Sequence, residues 1–111
     1  MATKTEIGIK VLEKLGAISA GETPDTVDQD VVDDAYDSSY GYLRTKHAVS
    51  WGSGDDIPTE AVLPVVAFVS NRIANTFGVP RDFGEESQAV SELLALVSVD
   101  YSGEPPPAEY F

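Results

Sequence analysis

The sequence predicts an all-α fold, in which a small four-helix bundle-like domain is followed by an extended C-terminal tail. Four stretches carry apolar residues at the three- and four-residue spacing of an amphipathic helix. Gly and Pro residues lie between these stretches, where they end one helix and begin the next. Three consecutive prolines near the C-terminus exclude a regular helix there. We therefore divide the chain into a helical domain, residues 1–98, and an extended arm, residues 99–111.

The composition indicates one domain with a large excess of negative charge. The 111 residues suit a single domain, and the 42% that are apolar suffice for one core. Seven Lys and Arg against nineteen Asp and Glu give a net charge of −12, which repels nucleic-acid phosphates and anionic lipid. There is no cysteine, which excludes disulfides and Cys-based metal sites. The opening residues lack the apolar core of a signal peptide, so we expect a cytosol-like setting and no membrane partner.

The first predicted helix begins at Thr3 and ends at Gly16. Thr3 and Glu6 match the S/T-x-x-E capping box, in which two side chains satisfy free backbone N–H groups. Gly16 is a typical residue for a helix end. The following residues, 17–22, are predicted to form a loop with Ile18 turned inward. The predicted buried stripe of this helix is Ile7, Val11, Leu12 and Leu15.

The second predicted helix has Thr23 as its N-cap and Pro24 at its first position, and it extends to about Val49. Basic residues gather at its far end, as the helix dipole favours. The segment 50–56 is rich in Gly, Ser and Asp and is predicted to be a loop. The predicted buried stripe of this helix is Val27, Val31, Ala35, Tyr42 and Leu43.

The third predicted helix is the expected centre of the core, because it is apolar over much of its circumference. It runs for roughly twenty residues up to Gly78, which is too long for a strand. Pro64 either kinks it or marks its regular start. The fourth predicted helix begins between Arg81 and Glu85. The predicted inner stripe of the fourth helix is Phe83, Val90, Leu93, Leu94 and Val97.

The sequence contains no pattern typical of a catalytic centre. His47 is the only histidine, and no nucleophile signature such as G-x-S-x-G accompanies it, so we expect it to face solvent near a helix end. Residues 51–54 lack the Gly-Lys-Ser/Thr of a phosphate-binding loop. The Asp-rich part of the second helix lacks the glycine of a calcium-binding loop. We predict a protein that is not an enzyme and that uses no cofactor or metal ion.

Two groups of residues on the second helix and the loop after it are candidates for contact with other molecules. Tyr36 and Tyr40, with Trp51 nearby in sequence, suit either the edge of the core or a contact with another subunit or another protein. A row of aspartates shares one helix face, which is either solvated or turned toward a basic partner. These aspartates are Asp30, Asp33, Asp34 and Asp37.

The C-terminal arm is the third candidate. Its prolines favour the polyproline II conformation, which is preformed for recognition by a partner. Its aromatic side chains are costly to leave in water, so we expect an arm that becomes ordered on a partner. The candidate contact residues of the arm are Val99, Tyr101, Pro105, Pro106, Pro107, Tyr110 and Phe111.

The helix order and several short segments resemble bacteriophage head-to-tail adaptor proteins, which are also called tail accessory or packaged-DNA-stabilisation proteins. The likeness covers residues 3–98 and includes the opening helix and the second helix, which begins at Pro24 and ends in Leu43-Arg44. It is strongest in the block Asp-Ile-Pro-Thr-Glu-Ala-Val-Leu-Pro, residues 56–64, which runs on to Asn-Thr-Phe-Gly, residues 75–78.

This resemblance implies a virion structural protein whose copies form a ring, a dodecamer, under the capsid portal at the head–tail junction. The implied partners are the portal protein, a tail or nozzle protein and other copies of the chain, with assembly in the host cytoplasm. Double-stranded DNA passes through such a ring during DNA packaging and genome ejection. The C-terminal segments of this family reach the portal, a role that falls here to residues 99–111, although some relatives have a much longer arm.

The net charge agrees with a channel through which DNA slides. A lumen lined with carboxylates, for which the aspartates of the second helix are the candidates, repels phosphates and so binds DNA weakly. Two alternatives come from other classes of protein. One is an acidic protein-binding module that masks a basic partner. The other, less favoured, is a peptidoglycan-hydrolysing tail component, because one branch of the family is associated with that activity; no motif here supports it.

Overall fold

The protein is all-α, as the sequence predicts. The structure is a computed structural model that describes residues 1–19, 21–52 and 54–101. Short 3₁₀ helices precede and follow the third α-helix, at Thr59–Ala61 and Ala74–Phe77. The four α-helices are α1 (Lys4–Lys14), α2 (Thr26–Thr45), α3 (Val62–Arg72) and α4 (Phe83–Tyr101). No helix in this part of the chain has the length and apolar character needed to cross a membrane.

Helix α3 is the centre of the core, which confirms the prediction from its apolar circumference. It packs against α1, α2 and α4, and α1 and α2 also pack against each other. Phe68 and Val69 on α3 are buried, as are Ile7 and Leu12 on α1. The chain segment before α3 is attached to the N-terminus by an isolated β-bridge, in which the Ala2 nitrogen donates to the Ile57 carbonyl at 2.9 Å.

The start and end of α1 are those that the sequence predicts. The Thr3 hydroxyl accepts a hydrogen bond from the Glu6 nitrogen at 3.1 Å, and the Glu6 carboxylate accepts one from the Thr3 nitrogen at 2.8 Å. Gly16 has φ of 75°, the left-handed conformation that ends a helix. Gly8 lies where α1 crosses α2, and a Cβ there would stand 2.8 Å from the buried Val32 side chain. The close packing of α1 on α2 therefore requires glycine at this position.

The predicted ends of α2 are wrong at both termini. The helix begins at Thr26 with Asp25 as its N-cap, since the chain before it is extended. It ends at Thr45, because His47 adopts a φ of 59° and turns the chain back. The Ala48 nitrogen then donates to the Leu43 carbonyl at 2.9 Å, which is the bond of a Schellman motif. Burial of Ala48 against the core fixes this helix end.

The buried face of α2 is also displaced from the predicted stripe. Of the predicted residues only Leu43 is fully buried, whereas Val27 is 72% exposed and Tyr42 is 41% exposed. Val31 and Ala35 are half-buried. The helix carries two apolar stripes, and α1 and α3 pack on the one that includes two tyrosines. The residues that α2 buries are Val32, Tyr36, Ser39, Tyr40 and Leu43.

The long third helix of the prediction is divided into three pieces. Pro64 lies in the first turn of α3, where its missing N–H group costs no hydrogen bond, so it marks the regular start of the helix. After Arg72 the chain tightens into the second 3₁₀ helix, which ends at Gly78 with φ of 74°. The single helix of roughly twenty residues is therefore wrong, while the predicted end at Gly78 is confirmed.

Helix α4 begins at Phe83, within the predicted limits, and continues through Tyr101. The prediction that residues 99–101 are extended is wrong, because no Gly or Pro interrupts the helix before Gly103. Its inner stripe is only partly as predicted. Leu93 is buried, but Phe83 is 65% exposed and Leu94 is exposed as well. The small Ala89 and the carboxylate of Glu86 are buried instead.

Candidate interaction surfaces

Tyr36, Tyr40 and Trp51 form one cluster inside the chain. Tyr36 and Tyr40 are only 3% and 9% exposed, and their rings stack with centroids 6.3 Å apart. The Trp51 indole donates to the Tyr36 hydroxyl at 3.0 Å, and the Tyr40 hydroxyl donates to the Trp51 carbonyl at 2.7 Å. Within one chain, Tyr36 and Tyr40 therefore belong to the core, as in the first of their two interpretations, and the loop after α2 covers them. A contact of this cluster with another subunit or with a phage tail stays a prediction. Trp51 is half-buried on the same cluster.

The ionisation of Tyr36 predicts a loss of stability in alkali. Burial raises the pKa of the Tyr36 phenol. Above pH ~10 the unfolded chain ionises this group while the folded chain keeps its proton, so the free energy of unfolding falls as the pH rises through the folded pKa. The contribution of Tyr36 to stability is complete below pH ~10, the pKa of the phenol in the unfolded chain. In urea unfolding at pH 8 to 11, Tyr36→Phe should flatten this fall. A free energy of unfolding that falls as steeply with pH in Tyr36→Phe as in wild type would refute the assignment.

The four candidate aspartates of α2 divide into two pairs. The Lys4 ammonium contacts the Asp37 carboxylate at 2.8 Å, and the Gln29 amide donates to Asp33 at 3.0 Å. The bond to Asp37 raises the pKa of Lys4. Asp30 and Asp34, in contrast, are exposed and form no salt bridge within the described residues. The assignment of Asp30, Asp33, Asp34 and Asp37 to a DNA channel stays a prediction.

The predicted portal-binding residues of the arm lie mostly beyond the described part of the chain. The backbone of Val99 and Tyr101 forms the last turn of α4. The remaining candidates, Pro105, Pro106, Pro107, Tyr110 and Phe111, lie outside the described residues. Their contact with a portal stays a prediction.

An open groove of about 360 Å³ lies between α2 and α4, with α3 as its floor. The predictions from the sequence do not include this groove. Aromatic and cationic side chains line it together, and we call it the cation–aromatic groove. The residues that line it are Tyr42 from α2, Phe68 and Arg72 from α3, Arg81 before α4, and Phe83, Glu86, Ser87 and Val90 from α4.

Stacked rings hold the cations of this groove in place. The rings of Tyr42 and Phe68 lie nearly parallel with centroids 5.7 Å apart. The Arg72 guanidinium lies 5.2 Å from the centre of the Tyr42 ring and 5.4 Å from that of Phe68. The Lys46 ammonium lies 5.5 Å from the Tyr42 ring on the rim of the groove. Each such contact contributes about 0.5–1 kcal/mol at an exposed site and orients the charge.

The two arginines of the groove differ in their partners. Arg81 lies 4.4 Å from the Phe83 ring and donates twice to Glu86, with one bond at 2.9 Å. That hydrogen bonding raises the pKa of Arg81. Arg72 and Lys46 form no salt bridge in the part of the chain that the structure describes. The groove therefore carries local positive charge on a protein whose net charge is −12.

One sequence signal for this groove was available. Tyr42 precedes Lys46 by four residues and Phe68 precedes Arg72 by four, which is the spacing of side chains that meet on a helix. Each pair predicts a ring with a cation beside it. The placement of the two pairs against each other, however, depends on how α2 packs on α3.

His47 is exposed, as predicted for a residue near a helix end. Among the described residues there is no group of three or more His, Asp or Glu side chains arranged to hold a metal ion. No protein-family model, no curated protein and no solved structure matches this chain.

Proposed function

We propose that this protein is a subunit of the head-to-tail connector of a bacteriophage virion. Its copies form a ring beneath the capsid portal, link the portal to the tail, and retain or pass the packaged DNA. The observation that carries the proposal is the segment 56–78, whose residues resemble the adaptor family. Within it, Ile57 forms the bridge to the N-terminus, Pro64 lies in the first turn of α3, and Gly78 ends the segment.

Exposed apolar side chains support a function in assembly. Leu63 is 79% exposed, and Val27 and Phe83 are also largely exposed, although the chain has only 111 residues. Single exposed apolar residues are ordinary, but here they occur on α2, α3 and α4 and one of them lines the cation–aromatic groove. A subunit that covers these side chains with neighbouring copies or partners removes them from water.

The net charge supports passage of DNA rather than tight binding. A ring of copies that each carry −12 has no excess of cations with which to neutralise phosphates. Tight binding of duplex DNA by the isolated chain at roughly physiological salt would contradict this part of the proposal.

The experiment that tests the connector proposal measures molar mass by light scattering for the full chain, alone and with the cognate portal. A Tyr110→Ala/Phe111→Ala variant removes the last two aromatic side chains of the arm, and Ala108→Ser is the matched control in the same segment. We expect wild type and control to join the portal as a ring and the aromatic variant to fail. If wild type neither oligomerises nor binds the portal, the connector proposal fails and a basic protein partner becomes the hypothesis to test.

A further inference from the structure

We infer that the cation–aromatic groove binds the N-terminal half of α2 from a second copy of this chain, so that copies join head to tail. The inference deepens the proposed function, on which it rests for the premise that copies assemble. It assigns the subunit contact to particular residues on both sides.

The groove offers a surface on which apolar and positively charged side chains lie together. Its walls are helices α2 and α4, and Tyr42 and Phe83 on these walls are exposed. Arg72 on its floor and Lys46 on its rim have no salt-bridge partner among the described residues. A helix that carries one apolar side chain and two carboxylates along one face is a complementary occupant, since helices commonly bind in grooves through one face.

The N-terminal half of α2 presents such a face. Val27, Asp30 and Asp34 lie at positions i, i+3 and i+7, which places them along one side of the helix. All three are exposed, and the two aspartates form no salt bridge within the described residues. We call these three residues the acidic strip. In the inferred contact, Val27 packs against the rings of the groove in the other copy, and the two carboxylates pair with Arg72 and Lys46 of that copy.

A single copy is unable to make this contact with itself. The acidic strip and the Tyr42 wall belong to the same helix, α2, and Asp34 and Tyr42 are eight residues apart. At the helical rise this separation is about 12 Å along the axis, and a rigid helix has no way to fold back across it. The strip therefore has to enter the groove of another copy. We assign a heterologous contact, in which the groove of each copy receives the strip of the next copy without returning its own strip to it, and repetition of this contact produces a ring or an open chain.

This inference gives Asp30 and Asp34 a role in the subunit contact in place of the channel-facing role that the sequence predicts. Asp33 and Asp37 are already engaged with Gln29 and Lys4 at the contact between α1 and α2. The ring surface that faces DNA then takes its negative charge from the many other carboxylates of the chain.

The test uses two full-length variants, each with one surface reversed in charge. The groove variant is Lys46→Glu/Arg72→Glu, and the strip variant is Asp30→Arg/Asp34→Arg. The molar mass of wild type is expected to rise with protein concentration. Each variant alone should stay at the 11.9 kDa of one chain, because its association is weakened at least about tenfold. Their mixture should associate as wild type does, because the intact strip fits the intact groove and the two reversed surfaces are again opposite in charge. A chain that carries all four substitutions should associate again.

Matched controls reverse charge away from both surfaces. Lys10→Glu and Glu92→Arg change exposed residues of α1 and α4 and should associate as wild type does. Circular dichroism checks that each variant is folded, and Lys46→Gln/Arg72→Gln repeats the groove test without reversing charge. Association of the groove variant or the strip variant at wild-type strength would overturn the inference. A wild type that stays monomeric would also overturn it. Failure of the two folded variants to associate in the mixture would overturn it as well, and is the result expected if residues 102–111 occupy the groove instead.

The outcome separates this inference from the proposed function. If both charge-reversed variants join the portal as complete rings, the head-to-tail contact is wrong while the connector stands. If wild type and the mixture associate as described but no form binds the portal, the contact stands and the connector proposal fails.

Discussion

Leu43→Ala is expected to lower the free energy of unfolding by about 2–5 kcal/mol, the range for removing a buried leucine side chain from a core. Leu43 is 2% exposed and lies on the face of α2 that packs against the core. Its carbonyl also accepts the hydrogen bond from Ala48 that closes the helix end. The truncation leaves a cavity at the point where the last turn of α2 is fixed, so the cost includes lost burial and a less firmly held helix end.

The matched control is Leu63→Ala, which makes the same chemical change at a side chain that is 79% exposed. We expect this control to change the free energy of unfolding by no more than about 0.5 kcal/mol. Urea unfolding followed by the fluorescence of Trp51, the one tryptophan, measures both variants. Similar losses for the two variants would show that α2 does not bury the face described here.

Asn71→Ala is expected to cost about 2–4 kcal/mol, because it removes three hydrogen bonds made by a buried side chain. Asn71 is 5% exposed at the end of α3. Its amide nitrogen donates to the Ala67 carbonyl at 2.9 Å and also to the Glu85 carboxylate. Its side-chain oxygen accepts a hydrogen bond from the Asp82 nitrogen at 2.8 Å. This one side chain therefore connects α3 to the start of α4.

Asn75→Ala is the control for this prediction, since Asn75 is exposed in the 3₁₀ helix that follows α3. Its effect on the free energy of unfolding should stay within about 0.5 kcal/mol. Hydrogen exchange gives a second, local measurement, in which the Asp82 amide should lose protection in Asn71→Ala and keep it in Asn75→Ala. Unchanged protection in Asn71→Ala would contradict the proposed connection between α3 and α4.

Local interactions allowed several features to be predicted from the sequence. The capping box of Thr3 and Glu6 involves residues three apart, so it forms whenever α1 forms. Gly16 and Gly78 end their helices because a left-handed conformation suits glycine at any helix end. The central place of α3 followed from apolar residues around most of its circumference, which excludes a helix with one side in water. The sequence by itself therefore determines these features and the all-α class.

The tertiary structure alone decided which side of α2 and α4 is buried. Both helices carry more than one apolar stripe, and periodicity does not rank two stripes of similar strength. Gly8 lets α1 approach closely over Val32, which selects the α2 stripe that contains Tyr36 and Leu43. The unselected stripe leaves Tyr42 beside α3, where it meets Phe68 and Arg72. The cation–aromatic groove exists for this reason: residues from three helices form it, and only their packing brings them together.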